Sequence, residues 1–167
     1  MTKNQLNEPV SILMPVSNEE EVIEEVIEEW IEDVFQYLPE GSEFLFDEAG
    51  STDGTRQILK ELCNKFPFIK VDFHEKKDGF AVAAKRLYKK AKCPLIFFTD
   101  SDGQYIAKDF WKLTKHIENY DMVHGVKLGR KDTVFRRIFS FFFNKFINFI
   151  FSIYFLDMNS AFRLTKA

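Results

Sequence analysis

Only two cysteines occur in the 167 residues, Cys63 and Cys93, both inside segments that read as helix, so no disulfide framework is expected and reduced thiols suit the chain better. No excess of basic residues is present: the formal net charge is -3, and no duplex-reading motif appears, which argues against nucleic acid as a partner. The opening "MTKNQLNEP" has no apolar core and therefore no secretory signal is expected. GxxxxGK[ST] is missing, and no GxGxxG follows the first apolar run, so neither a Walker-type phosphate cradle nor a dinucleotide fingerprint is expected. Low complexity is missing too: 46% hydrophobic and 29% charged residues are the proportions of one packed domain.

What is present is an alternation. "VSILMPV" at 10–16 is a short apolar run closed by Ser17 and Asn18, and Ile23, Ile27, Ile31, Val34 and Leu38 follow at helical spacing, with Asn18 as the expected cap. "EFLFD" reads as a second strand, "EAGSTDG" as its loop and 55–66 as a helix; "IKVDFH" reads as a third strand, entering a helix at about 80–92 through "EKKDG". "LIFFTD" begins a fourth unit with a helix at about 108–119, and "DMVHGVK" reads as a fifth strand. Units of this kind predict an α/β fold, a mostly parallel sheet with helices on both faces, and ligands beyond the carboxyl ends of the strands. The acidic and glycine-bearing loops at 17–19, 47–53, 76–79 and 100–103 all fall at that edge.

The fourth loop poses the sharpest chemical question. Asp100-Ser101-Asp102 is a hard oxygen set that suits Mg²⁺ or Mn²⁺, with phosphate oxygens and water completing an octahedron. The same string also suits an ordinary turn, because aspartate bonds to its own backbone. Asp47, Glu48 and Asp53 add oxygens able to hold a base or ribose hydroxyls, and a divalent ion would reconcile a diphosphate with so many carboxylates.

Taken in order, "SILMPVSNEE", "EFLFDEAGSTDGT", "KKDGFAVAAKRL", "LIFFTDSDGQY" and "DMNSAFRLTKA" resemble the family 2 glycosyltransferases of the GT-A fold. The branch they resemble most includes dolichyl-phosphate mannose synthases and bacterial polyprenyl-phosphate glycosyltransferases. The resemblance implies inverting transfer of a sugar from a nucleotide-sugar, a GDP- or UDP-sugar, with a divalent ion. It implies Pro15, Ser17 and Glu19 at the base, Asp47 or Glu48 with Asp53 at base and ribose, and Asp78, Gly79 and Ser101 along the donor. Asp100 is expected between ribose and metal, Asp102 as metal ligand, and Arg163 of "AFR" on phosphate, so Asp100, Asp102 and Arg163 form the expected catalytic set. Ser17 stands where the family has tyrosine, "DEAGSTDG" is one residue longer than "DDGSTDG", and the chain ends at Ala167 where relatives continue, as a fragment or shortened member would.

Half of the 20 phenylalanines lie between Phe135 and Phe162. On a helical wheel, Arg136, Arg137, Ser140, Asn144, Lys145, Asn148 and Ser152 share one half and the other is apolar. A helix over 133–156 would be roughly 35 Å long, enough to span a bilayer. Lys145 near its centre would cost about 3 kcal/mol, which favours an amphipathic helix lying at a membrane surface or, alternatively, on the core. Residues 127–145 carry six basic groups against one acid, Asp132, which suits anionic head groups or a lipid phosphate. Lys127, Arg136, Arg137 and Arg163 are therefore the candidates for an acceptor phosphate. The expected organisation is a tail at 1–9, a nucleotide-sugar-binding core at 10–132 and an acceptor-side, membrane-interface segment at 133–167. The expected protein is cytoplasmic, peripheral on the cytoplasmic face of a membrane, and transfers sugar to a polyprenyl phosphate, which needs no protein base. A saccharide hydroxyl acceptor and a non-catalytic nucleotide-binding module are the alternatives. His74, His116 and His124 are read as structural or surface groups.

Overall fold

The computed structural model describes residues 6–126, 145, 146, 150 and 160–167. Strand β1, Val10–Val16, leads through a turn to helix α1, Ile23–Asp33, and a 3₁₀ turn at Phe35–Tyr37. Then follow β2 (Glu43–Ala49), α2 (Thr55–Lys65), β3 (Ile69–His74), α3 (Phe80–Lys90), β4 (Leu95–Phe98), a 3₁₀ turn at Ala107–Asp109, α4 (Phe110–Thr114), β5 (Met122–His124) and β6 (Arg163–Lys166). Among the described residues the sheet has six strands in the order β3-β2-β1-β4-β6-β5. The first four pair in parallel, whereas β6 runs antiparallel between β4 and β5.

Strand alternation divides the core between the two faces. Ile12, Met14, Phe44, Phe46 and Phe97 point to the side of α1 and α2, while Leu13, Leu45, Ile96 and Phe98 point to the side of α3. Trp30 of α1 anchors the larger half, with ring centroids 5.2 Å from Phe97, 6.2 Å from Phe162 and 6.5 Å from Phe110. Burying such rings stabilises by roughly 2 kcal/mol each through area alone. The core therefore depends on Phe162, which arrives from the far end of the chain.

Four local expectations are corrected. Asn18 does not cap α1: it sits at φ 57°, and its Oδ1 accepts the Thr52 amide at 2.8 Å, so the first helical turn starts from the Glu19 carbonyl. The helix expected at 108–119 is regular only over Phe110–Thr114, preceded by a 3₁₀ turn. Residues 163–166, grouped by sequence with the segment after 132, are a central strand instead: Phe162 and Leu164 fill the core beside β4. Cys93 lies before β4 rather than in a helix, and both cysteines are free thiols. No helix among the described residues is long and apolar enough to cross a membrane. Most of the expected amphipathic helix at 133–156 lies outside the described residues; Lys145, Phe146 and Ile150, the described positions within it, are exposed.

Candidate donor cleft

The loops after β1 and β4 converge on a cavity of about 280 Å³ at the carboxyl edge of the sheet. Pro15, Ser17, Glu19, Gly79, Asp100, Ser101 and Asp102, all expected from sequence, line it. A larger cavity of about 630 Å³ opens at the opposite edge, between Leu6, Leu95 and Lys166, but it gathers none of the loops that carry the acidic motifs.

Backbone clasps set the shape of the cleft. The Asn18 amide donates to Ser51 Oγ at 3.0 Å and the Glu19 amide to Thr55 Oγ1 at 2.8 Å, tying the first loop to the second. Asp53 completes this clasp: its Oδ2 accepts the Glu20 amide at 3.2 Å and its Oδ1 the Thr55 amide at 3.1 Å. Burial alone would raise the Asp53 carboxyl, but bonds from the Thr55 hydroxyl and amide and the Glu20 amide outweigh it and hold the group below the usual carboxylate value. Asp53 thus shapes the cleft from behind.

Glu19 shifts the other way. Burial comes first, then the charges of Asp102, Asp53 and Asp100, and together they raise its carboxyl above the ordinary 4.5. An arrangement of mutually repelling carboxylates is relieved by a cation. Asp102 closes a turn and also lines the cavity: its Oδ1 accepts the Gln104 amide at 3.0 Å, across Gly103 at φ 68°. Among the described residues no three His, Cys, Asp or Glu side chains form a metal cage of their own. The carboxylates that could reach a hard ion in the cavity are those of Asp100 and Asp102, with phosphate oxygens and water needed to complete its coordination.

Other expected residues are placed elsewhere. Asp47 and Glu48 are fully buried at the end of β2 and do not line the cavity. Asp47 receives Arg86 through two bonds, Nε to Oδ2 at 2.7 Å and Nη2 to Oδ1 at 2.8 Å, with His74 Nε2 at 3.2 Å. Glu48 receives Arg56 Nε at 2.8 Å and the Ser51 amide at 2.5 Å. Asp78 pairs with Arg86 Nη1 at 2.7 Å. Arg163 opens β6 opposite Phe98, its guanidinium 5.1 Å from that ring and near enough to Tyr88 to offset part of the rise that burial imposes on the tyrosine. Lys127, Arg136 and Arg137 lie outside the described residues.

Five lining residues were missed by sequence reasoning: the apolar Val16, Ala49 and Ala83, and two with more to offer a ligand, Lys77 and Phe80. Lys77 is the one basic side chain among the described residues lining the cavity, and Phe80 stands 55% exposed at its rim, edge-on to Phe98 with centroids 5.8 Å apart. Sequence placed the loop that carries Lys77 at the strands' carboxyl edge, but not the lysine itself on the cavity wall.

Fold and cleft together define a nucleotide-sugar transferase architecture, and comparison with known proteins agrees. The profile of Glycosyl transferase family 2 matches residues 11–164, and the chain belongs to that family. It is 30% identical over 126 residues to the uncharacterized glycosyltransferase YkcC of Bacillus subtilis, covering 75% of this chain and 39% of that protein. The chain thus spans about two fifths of the curated relatives it matches, 39% and 40% of their lengths. Among solved structures it is similar to the mannosyltransferase PcManGT from Pyrobaculum calidifontis in complex with GDP-Man and Mn²⁺, at TM-score 0.65 and 22% identity over 81% of this chain and 39% of that one. It is also similar to glucosyl-3-phosphoglycerate synthase of Mycobacterium tuberculosis in complex with UDP, at TM-score 0.69 and 20% identity over 96% and 57%. These likenesses establish the GT-A fold expected from sequence.

Proposed function

We propose that the chain carries the donor-binding part of an inverting glycosyltransferase that moves a sugar from a GDP- or UDP-sugar to a polyprenyl phosphate. The observation that carries this reading is the convergence of Glu19, Asp100 and Asp102 on a cavity with Lys77, where burial and the neighbouring acids raise Glu19 and Lys77 is the one cationic side chain among the described lining residues. PcManGT with GDP-Man and Mn²⁺ and the synthase with UDP support a nucleotide-sugar in such a cleft, and they leave guanine and uracil equally compatible with this chain.

Asp100 and Asp102 are the residues that would hold Mg²⁺ or Mn²⁺, and the ion when bound supplies charge neutralisation to the departing diphosphate. Asp102 is oriented for that task by its bond from the Gln104 amide. Lys77 holds diphosphate oxygens from the opposite wall, and Ser17, with its Oγ buried and without a hydrogen-bond partner among the described residues, offers a hydroxyl toward the nucleoside. Arg163 steadies the phosphate side from the start of β6. A polyprenyl phosphate is already anionic near neutral pH, so it attacks the anomeric carbon without a protein base.

In this reading residues 10–132 form the donor core, with β6 added to its sheet, and the remainder of 133–167 serves the acceptor. The basic excess of 127–145 supports a cytoplasmic, peripheral position on an anionic membrane face. The test is transfer of labelled sugar from GDP-mannose, UDP-glucose or UDP-GlcNAc, with Mn²⁺, to a short polyprenyl phosphate and in parallel to free saccharides. Label in the lipid fraction is expected. Label in the saccharide fraction alone, or in neither, overturns the acceptor assignment.

A further inference from the structure

Asp47 and Glu48 are consecutive, so strand alternation sends them to opposite faces of β2. Each takes an arginine from a helix on its own side: Asp47 takes Arg86 of α3, and Glu48 takes Arg56 of α2. Both arginines then reach onward to the same loop, 75–79. Arg56 Nη1 donates to Glu75 Oε1 at 3.0 Å and its Nη2 to the His74 carbonyl, while Arg86 Nη1 donates to Asp78 Oδ2 at 2.7 Å.

The loop is thus tied near both ends, once from each face of the sheet. Its middle is pressed against Gly50, at φ 64°, where a Cβ would stand 2.8 Å from the Lys76 carbonyl carbon and 2.9 Å from the Lys77 amide nitrogen. Lys77 and Gly79 of this loop line the cavity. An exposed ion pair ordinarily contributes little, because two long side chains must be ordered to make it. Here a buried, two-bond fork on Asp47 has already ordered Arg86, so the rim bond to Asp78 forms with little further entropy loss.

We infer that Arg86 and Arg56 are positioning residues that fix loop 75–79 as a strap, holding Lys77 against the cavity so that a nucleoside diphosphate meets its cation already in place. The role of Lys77 rests on the donor reading above; the strap itself does not.

Asp78→Asn cuts the rim tether and keeps the buried Asp47–Arg86 pair, so it preserves the fold where Arg86→Gln endangers it. Hydrogen–deuterium exchange of the whole chain without nucleotide is expected to show amides 76–79 exchanging about tenfold faster in Asp78→Asn, with β1, β2 and β4 unchanged. Exchange equal to wild type in this variant and in Arg86→Gln overturns the strap. In calorimetry with UDP or GDP and Mn²⁺, Asp78→Asn and Lys77→Ala should each weaken binding about tenfold, and the double variant little more than either. Fully additive losses, or wild-type affinity in Asp78→Asn, overturn the positioning role. A wild-type chain that binds neither nucleotide overturns the donor reading, and the exchange comparison still decides the strap.

Discussion

The two walls of the cleft use the same residue type to opposite ends. On the β2 and β3 side, Asp47, Glu48, Asp53 and Asp78 each meet an arginine or backbone amides, and Asp53 is held below its ordinary pKa. On the β1 and β4 side, Glu19, Asp100 and Asp102 meet one another across a cavity, and Glu19 is raised. A carboxylate matched by fixed donors holds the protein together, whereas carboxylates that repel one another across a cavity carry negative charge that a bound cation would neutralise. The difference separates scaffold from candidate chemistry without appeal to any ligand.

The contrast is breakable by substitution. Asp47→Ala removes a fully buried partner and strands Arg86 between two tasks, so chemical denaturation should show a loss of about 3 kcal/mol. Asp102→Asn should cost almost nothing in the same experiment, since an amide oxygen still accepts the Gln104 amide, yet it should weaken Mn²⁺-dependent nucleotide binding about a hundredfold. If Asp102→Asn proved the more destabilising of the two, the division between walls would be wrong.

The smallest effect concerns Glu19. Its folded pKa lies above the ordinary 4.5, so just above that pH the folded chain keeps a proton that the unfolded chain has released, and stability falls as pH rises through the interval. Thermal melts of wild type and Glu19→Gln across this range should show the wild type losing more. Identical slopes would mean that the repulsion is not felt. Asp53, lowered in the fold, contributes the opposite slope, with stability lost as pH falls through its folded pKa, and it is common to both chains.

Much of this fold was legible in sequence. Apolar runs bounded by polar loops gave β1 and β3 their observed limits, and helical spacing located α2 and α3 to within two residues, because in each case local pattern and burial agree. Strand β6 was not legible: "RLTK" is four residues long, and its place between β4 and β5 depends on Phe162 and Leu164 finding a core built by residues more than sixty positions earlier. The converging loops of the cleft were readable from topology, since all of them end parallel strands. The fates of Asp47 and Glu48 were not, because their partners lie 39 and 8 positions away on helices whose rotation no spacing rule specifies. Lys77 went unassigned for a related reason: its place on the cavity wall comes from contacts to Gly50 and from tethers that a linear reading does not contain.

The central claim is that the acids of the β1 and β4 wall hold a cation that in turn holds a nucleoside diphosphate. Calorimetric titration of UDP and GDP into the chain, with Mn²⁺ and again with excess chelator, tests it directly. The account predicts one-to-one binding of at least one nucleotide, weakened at least about tenfold by the chelator, a difference of about 1.4 kcal/mol. Equal affinity in both conditions, or no binding of either nucleotide with Mn²⁺ present, would contradict it.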